Sequence, residues 1–166
     1  MFCSDGVNAE ALTSLTAFVN ILADGQAPKQ LRPYLGGAKG TAGAKKSKTG
    51  QPDARPLCAG EFFRRVVSRC ILYTEADTLR EHLLPHQLAV AVKAGVEVLP
   101  HVSRQWRDDH AADVDRILLT FDEANAHNEC DRHCFLTRMG ETCPGASRWL
   151  EYIYPTDQPT KVIYRG

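Results

Sequence analysis

The segment from Arg116 to Phe121 (Arg-Ile-Leu-Leu-Thr-Phe) is the feature that most restricts the folds open to this chain of 166 residues. Its apolar residues follow one another almost without interruption, which is typical of a strand buried on both faces. Weaker strand patterns lie at Leu88 to Val92 and at Lys161 to Arg165. The sequence therefore predicts a small number of short strands.

Helical patterns account for most of the remaining chain. Between Asn8 and Ala23 apolar residues recur three or four positions apart, as on one face of a helix. Asn8 suits the N-cap of this helix, and Gly25 suits its end. The same reasoning predicts further helices at Gly60 to Tyr73, Glu75 to Leu84, Gly95 to His110, Asp131 to Met139 and Pro144 to Tyr152. We therefore expect a helix-rich α+β fold.

The charge of the chain is unevenly distributed. Its 20 basic and 20 acidic residues cancel, which at first argues against a nucleic-acid-binding protein. Yet the stretch from Lys29 to Cys70 holds ten Lys or Arg and only two acidic residues, Asp53 and Glu61, for a net charge of +8. Such an asymmetry is typical of a patch that binds a polyanion, although a solvated basic face explains it equally well.

Two parts of this basic stretch have distinct patterns. Residues 36 to 52 are rich in Gly, Ala, Ser, Thr and Lys, which predicts a mobile basic loop or a hairpin tip. In the helix that follows, we expect an apolar face to be buried and a basic face to point outward. The residues expected inside are Phe63, Val66, Val67 and Cys70, and those expected outside are Arg64, Arg65 and Arg69.

The chain shows no pattern for secretion or for a membrane span. Residues Met1 to Gly6 lack the basic and apolar regions of a signal peptide, and no apolar run approaches the roughly 18 residues of a transmembrane helix. We expect an intracellular protein, cytoplasmic or nuclear, that makes no membrane contact and keeps its six cysteines reduced.

Four of the Cys and His residues are close enough in sequence to suggest zinc. Cys130, His133, Cys134 and Cys143 could form a thiolate site, with His127 as a further nitrogen ligand. Their spacing matches none of the common zinc-binding patterns, and incidental Cys and His on a helix and its following loop are the simpler explanation.

Asp122 follows the apolar segment directly. A carboxylate at the end of a buried strand is held rigidly enough to bind a hard cation such as Mg²⁺. Most aspartates at such positions only cap the next turn or helix, so Asp122 by itself does not decide between these roles.

The surroundings of Asp122 add a family resemblance. Phe121 to Asn128 resembles the first palm motif of reverse transcriptases of the non-LTR retrotransposon (LINE-like) type, which reads aspartate, three residues, alanine, an aromatic residue, then Asn or Asp. Other ordered blocks resemble segments of the same family. They are Arg55 to Cys70, which looks like the segment that closes the fingers hairpin and opens a helix, Pro85 to Glu97, His133 to Leu136, and Cys143 to Tyr152.

This resemblance implies a partial right-hand polymerase fold. Residues 1–115 would form a fingers-like region with a basic loop at 36–55, and residues 116–166 the N-terminal part of the palm, truncated before the second and third palm motifs. The intact family uses two Mg²⁺ ions to add deoxynucleoside triphosphates to a DNA primer on an RNA template. The resemblance thus implies Mg²⁺ as cofactor and these nucleic acids as partners.

The resemblance also implies roles for single residues. Asp122 would be catalytic and would bind metal, together with the backbone carbonyl of Glu123. The fingers would offer Lys45, Lys46 and Arg55 to the triphosphate, and His127 would lie against its sugar. The arginines implied as contacts of the template backbone are Arg64, Arg65 and Arg69, whose alternative is a solvated helix face.

Three departures from the family pattern change these expectations. His127 replaces the aromatic residue that excludes a 2′-hydroxyl, and Ala89, Ala91 and Ala94 replace glycines. The 166 residues contain no Tyr/Phe-x-Asp-Asp sequence, which supplies the other metal-binding carboxylates. We therefore expect an inactive fragment. The alternatives are a non-catalytic RNA-binding module that uses basic residues 39–69 and a zinc-stabilised interaction domain.

Overall fold

The structure of the chain is a computed structural model that describes residues 8–45, 50, 53–123, 126–157 and 162–164. The helices are α1 (Ala9–Ala23), α2 (Arg32–Leu35), α3 (Phe62–Thr74), α4 (Ala76–Leu83), α5 (Gly95–Asp109), α6 (Ala126–Glu129), α7 (Arg132–Thr142) and α8 (Pro144–Ile153), with a 3-10 turn at Lys29–Leu31. The strands are β1 (Ala38–Lys45), β2 (Asp53–Gly60) and β3 (Val162–Tyr164). The chain is therefore helix-rich with one small sheet, as the α+β prediction expects.

The chain divides into two compact units. The sheet unit consists of Met1–Tyr73 and Pro144–Gly166, and the helical unit consists of Thr74–Cys143. The fingers and palm regions implied by the resemblance, with their boundary after residue 115, rest on sequence motifs and stay a prediction.

The sheet has the strand order β2-β1-β3. β1 and β2 are antiparallel and form a hairpin, with Ala38 opposite Gly60 and Lys45 opposite Asp53. β3 runs parallel to β1, and Ala38 lies opposite Val162. Strand β1 lies within residues 36–52, the segment predicted as a mobile loop or hairpin tip, and β2 begins directly after that segment, so more of the segment is paired than its Gly-rich composition indicates.

Helix α8 supplies most of the core of the sheet unit. Trp149, Tyr152 and Ile153 are buried on its inner face and pack with Leu22 of α1 and Val67 of α3. Pro144 occupies the first helical position, where its missing N–H costs no hydrogen bond. Complete burial of an apolar side chain of this size contributes about 1.5–3 kcal/mol, so α8 holds the unit together largely through these residues.

Helices α1 and α3 follow their sequence signals. The Asn8 side chain accepts a hydrogen bond from the Glu10 amide, and Gly25 beyond the helix has φ +66°, so the predicted cap and stop of α1 are confirmed. At the start of α3, Oε2 of Glu61 accepts from the Phe63 and Arg64 amides at 2.7 and 3.2 Å. Val67 is buried as predicted, but Cys70 is exposed, so the prediction that Cys70 is buried is wrong.

The helical unit is built mainly from α4, α5 and α7. The side chain of Asp131 caps α7 by accepting from the Cys134 amide at 2.8 Å. The buried Cys143 thiol donates to Oε2 of Glu75 at 3.5 Å and so links the end of α7 to the start of α4. The helices predicted between residues 75 and 142 are confirmed, and Pro100 lies inside α5.

Two predicted strands are wrong. Residues 89–92 form bends and lead into a turn at 93–94. Ala91 in the bends and Ala94 in the turn have φ 55° and 56°, so the backbone does not stay extended. Residues 116–121 are exposed and have no regular secondary structure. An apolar run becomes a strand only where another strand pairs with its backbone, and no strand of the described residues pairs with this segment.

Candidate nucleic-acid interface

The basic hairpin is the first component of the candidate interface. Lys39 is exposed on β1, and the backbones of Lys45 and Arg55 lie two pairs apart in the register of the hairpin, opposite Asp53 and Gly43. Lys46, the third residue implied as a triphosphate contact, falls outside the described residues. The fold thus brings Lys45 and Arg55, which are ten residues apart in sequence, onto neighbouring strands.

Arg64 has an inward role that the sequence pattern does not predict. Its side chain is half-buried, donates to the Gly36 carbonyl at 2.9 Å and donates to the Tyr154 hydroxyl at 2.7 Å. The guanidinium carbon also lies 5.2 Å from the centre of the Tyr154 ring. The expectation that Arg64 points outward is therefore wrong, because its donors join α3 to the start of the hairpin and to the end of α8.

Arg65 and Arg69 lie on the exposed face of α3, as predicted. Nη2 of Arg69 donates to the Tyr73 hydroxyl at 3.5 Å, and its guanidinium carbon lies 5.7 Å from the Tyr73 ring centre. This hydrogen bond raises the pKa of Arg69. Both side chains present positive charge to solvent, which is the requirement for binding a phosphate backbone.

A surface cavity of about 380 Å³ adjoins these arginines. It lies where β1, β2, α3 and the end of α8 meet. Its lining residues are Ala38, Cys58, Gly60, Arg64, Arg65, Ser68, Leu150, Ile153 and Tyr154. The cavity combines apolar side chains with two arginines and two hydroxyl groups, so it can accept an anionic group that also has an apolar surface.

The implied metal ligands do not form a complete site. Asp122 and Glu123 are exposed in the helical unit and lie outside any strand. The described residues contain no group of three or more His, Cys, Asp or Glu that could hold a metal ion. Two Mg²⁺ ions need several oxygen ligands on a rigid frame, so these residues do not fit the two-metal centre of the intact family.

The candidate zinc ligands are not brought together either. Cys130 and Cys134 are exposed, whereas Cys143 is buried against Glu75. His133 forms no metal-binding group with them in the described part of the chain. The side chain of His127, which was the further nitrogen ligand and the implied sugar contact, lies outside the described residues.

Sequence reasoning missed the residues that hold the interface in place. Tyr154 and Gly36 bind Arg64, and Trp149 donates to Ser68 across 81 residues of sequence. The arginine pair and the aromatic residues of α8 are visible in the sequence, but a pairing between segments so far apart leaves no periodic pattern. Only a three-dimensional structure shows which residues meet.

Comparisons with protein-family models, with curated proteins and with solved structures give no match. Among the described residues, none of the helices is long and apolar enough to cross a membrane.

Proposed function

We propose that this chain is the fingers and the first part of the palm of a reverse transcriptase of the non-LTR retrotransposon type. In this proposal the sheet unit binds nucleic acid, and the chain by itself does not polymerise DNA. The family activity from which it derives is template-directed nucleotidyl transfer, and its Mg²⁺-dependent step would need carboxylates that this chain lacks.

The observation that carries the proposal is the junction between the hairpin and α3. The family segment that Arg55 to Cys70 resembles closes a hairpin and opens a helix. In this chain β2 ends at Gly60, Glu61 caps the next helix, and α3 begins at Phe62. The agreement is local and covers part of the block from Arg55 to Cys70.

Charge supports a nucleic-acid partner. The stretch from Lys29 to Cys70, with its net charge of +8, contains the whole hairpin and most of α3. Lys39, Arg65 and Arg69 are exposed there. Binding of a phosphate backbone releases counterions in proportion to the number of cations that contact it, so affinity should fall steeply with salt.

The binding test uses the full chain and a recessed RNA template–DNA primer hybrid, followed by fluorescence anisotropy over a salt series. We expect Arg65→Ala to reduce the slope of log K against log salt by about 1. Arg104→Ala removes the same charge from an exposed position of α5 and is the matched control, which we expect to leave the slope unchanged. Binding that does not respond to salt would contradict the proposal.

The activity test measures primer extension by the same purified chain with Mg²⁺ and deoxynucleoside triphosphates. We expect none, because one aspartate cannot hold two metal ions. Extension that is lost in Asp122→Ala would show that the chain is a complete enzyme and would refute the inactive-fragment part of the proposal.

A second candidate is a non-catalytic RNA-binding module that uses the basic residues 39–69. It is favoured by the position of the exposed basic residues and of the cavity within the sheet unit, whereas Asp122 belongs to the helical unit. This module would bind single-stranded RNA as tightly as the recessed hybrid, and Asp122→Ala would not alter the affinity. A clear preference for the hybrid favours the polymerase fragment instead.

A further inference from the structure

The segment from Arg116 to Asp122 exposes an unusual amount of apolar surface. The exposed fractions are 74% for Ile117, 63% for Leu119 and 89% for Phe121. Within the described part of the chain, no hydrogen bond involves the backbone of residues 117–121. Exposed apolar residues next to unpaired backbone groups are the conditions under which a segment pairs with another strand.

The sequence of this segment alternates when it is read as a strand. Ile117, Leu119 and Phe121 would share one face, which is entirely apolar. The opposite face would present Arg116 and Asp122 at its two ends, with Leu118 and Thr120 between them. The segment thus has one continuous apolar row and carries opposite charges at its two ends.

These features make the segment complementary to itself in an antiparallel arrangement. If Leu119 lies opposite Leu119 of the partner subunit, Arg116 lies opposite Asp122 of the partner subunit, and this ion pair occurs twice. Ile117 then lies opposite Phe121 of the partner subunit, and pairs of aromatic and β-branched residues are among the favourable cross-strand neighbours.

Other registers lose one of these advantages. A shift by one residue places the apolar row of one strand beside the row of the other strand that contains Arg116, Thr120 and Asp122. A shift by two residues keeps the rows but separates Arg116 from Asp122 of the partner subunit. A parallel arrangement aligns like charges. Beyond the paired run, Asp115 would face Glu123 of the partner subunit, and this repulsion limits the ladder to residues 116–122.

We propose that residues 116–122 form an intermolecular β-ladder with a second copy of this chain, antiparallel and centred on Leu119. Arg116 now pairs with Asp113, with 2.8 Å between Nε and Oδ2. Its Nη1 also lies 2.7 Å from Nε2 of His110. Both contacts are solvent-exposed and contribute little, so the arginine can exchange them for Asp122 of the partner subunit. The inference does not depend on the proposed nucleic-acid function.

Charge reversal tests the pairing and its register together. Arg116→Glu and Asp122→Arg each place like charges opposite each other at both ends of the ladder. By sedimentation velocity over a concentration series, we expect each variant to dimerise about tenfold more weakly than the original chain, or weaker still. An equimolar mixture of the two variants restores opposite charges in every pair, so we expect the mixture to dimerise again. A mixture that stays as weak as its components overturns the proposed register.

A second variant tests the centre of the ladder. Leu119→Lys sets two lysines opposite each other at the two-fold axis, and we expect loss of the dimer. Leu99→Lys is the control, because Leu99 is 64% exposed on α5 and Leu119 is 63% exposed. Circular dichroism establishes that both variants are folded. A monomeric original chain at all concentrations, or equal effects of the two lysine substitutions, would overturn the proposal.

Discussion

The indole nitrogen of Trp149 donates a hydrogen bond to the hydroxyl of Ser68 at 2.9 Å. Trp149 is almost completely buried, and this bond satisfies its single donor. The contact joins α8 to α3 at the wall of the cavity that Ser68 lines. The position of α3, and with it the position of Arg65, thus depends on a residue near the end of the described chain.

Ser68→Ala should destabilise the sheet unit, because it leaves the buried indole N–H without an acceptor. We expect the free energy of unfolding to fall by about 1–3 kcal/mol. Urea denaturation followed by Trp fluorescence measures the change. Ser14→Ala, at an exposed position of α1, is the control and should stay within about 0.5 kcal/mol of the original chain. Equal stabilities for the two variants would mean that the bond contributes nothing.

Gly25→Ala should be more destabilising than the same change at Gly50. Both glycines have positive φ, +66° and +77°, so both substitutions introduce backbone strain of about 1 kcal/mol or more. At Gly25, however, the added Cβ would also lie 2.9 Å from the Arg148 carbonyl oxygen, whereas at Gly50 it meets nothing within 4 Å. We expect a difference of about 1–3 kcal/mol between the two in thermal or urea unfolding.

Arg64→Met and Arg65→Met should separate stability from binding. Met retains most of the apolar stem of Arg but removes the donors that reach Gly36 and Tyr154. We therefore expect Arg64→Met to lower the free energy of unfolding by about 1–3 kcal/mol. Arg65→Met should leave stability within about 0.5 kcal/mol and should weaken binding to RNA in low salt. If Arg64→Met weakened RNA binding and Arg65→Met lowered stability instead, Arg64 would be the phosphate contact.

Tyr152 should make stability depend on pH in the alkaline range. Burial raises the pKa of Tyr152, and the nearby Arg32 guanidinium lowers it by a smaller amount. Above about pH 10 the unfolded chain ionises this tyrosine while the folded chain keeps the proton, so the free energy of unfolding falls as the pH rises. The hydroxyl also donates to the Pro28 carbonyl at 2.7 Å, which requires the protonated form.

Tyr152→Phe tests this dependence. At neutral pH this substitution removes the hydrogen bond to Pro28 and should lower the free energy of unfolding by about 1 kcal/mol. Between pH 9 and 11 its stability should fall less than that of the original chain, measured by urea denaturation at each pH. Tyr34→Phe, at an exposed position, is the control, and its free energy of unfolding should fall with pH as steeply as that of the original chain. If the stability of Tyr152→Phe fell with pH as steeply as that of the original chain, the alkaline loss of stability would not come from Tyr152.

Local signals in the sequence predict the helices of this chain well. The N-caps Asn8 and Asp131, the proline at position 144 and the spacing of apolar residues all act within a few neighbouring residues. Such signals are independent of the rest of the fold, because a helix completes its hydrogen bonds within its own segment. The sequence predicts the strands less well. Among the described residues no strand pairs with the apolar run at 116–121, whereas the Gly- and Ala-rich β1 is paired on both edges.

In the candidate site, too, some features follow from the local sequence and others depend on tertiary contacts. The excess of Lys and Arg between residues 29 and 70 is fixed by composition, and the exposure of Arg65 and Arg69 follows from helical periodicity. Helical periodicity does not predict the inward position of Arg64, because its partners Gly36 and Tyr154 are 28 and 90 residues away in sequence. The resemblance of Phe121 to Asn128 to a palm motif is likewise a property of the sequence.

The sequence by itself thus determined the longer helices, the cap of α1, the basic stretch and the motifs that suggest a polymerase fragment. Tertiary structure decided which strands form, which arginine is bound inside the unit and which apolar residues remain exposed. The physical reason is that helix signals are local, whereas strand pairing, burial and long-range hydrogen bonds each need a partner that the rest of the chain must bring into contact.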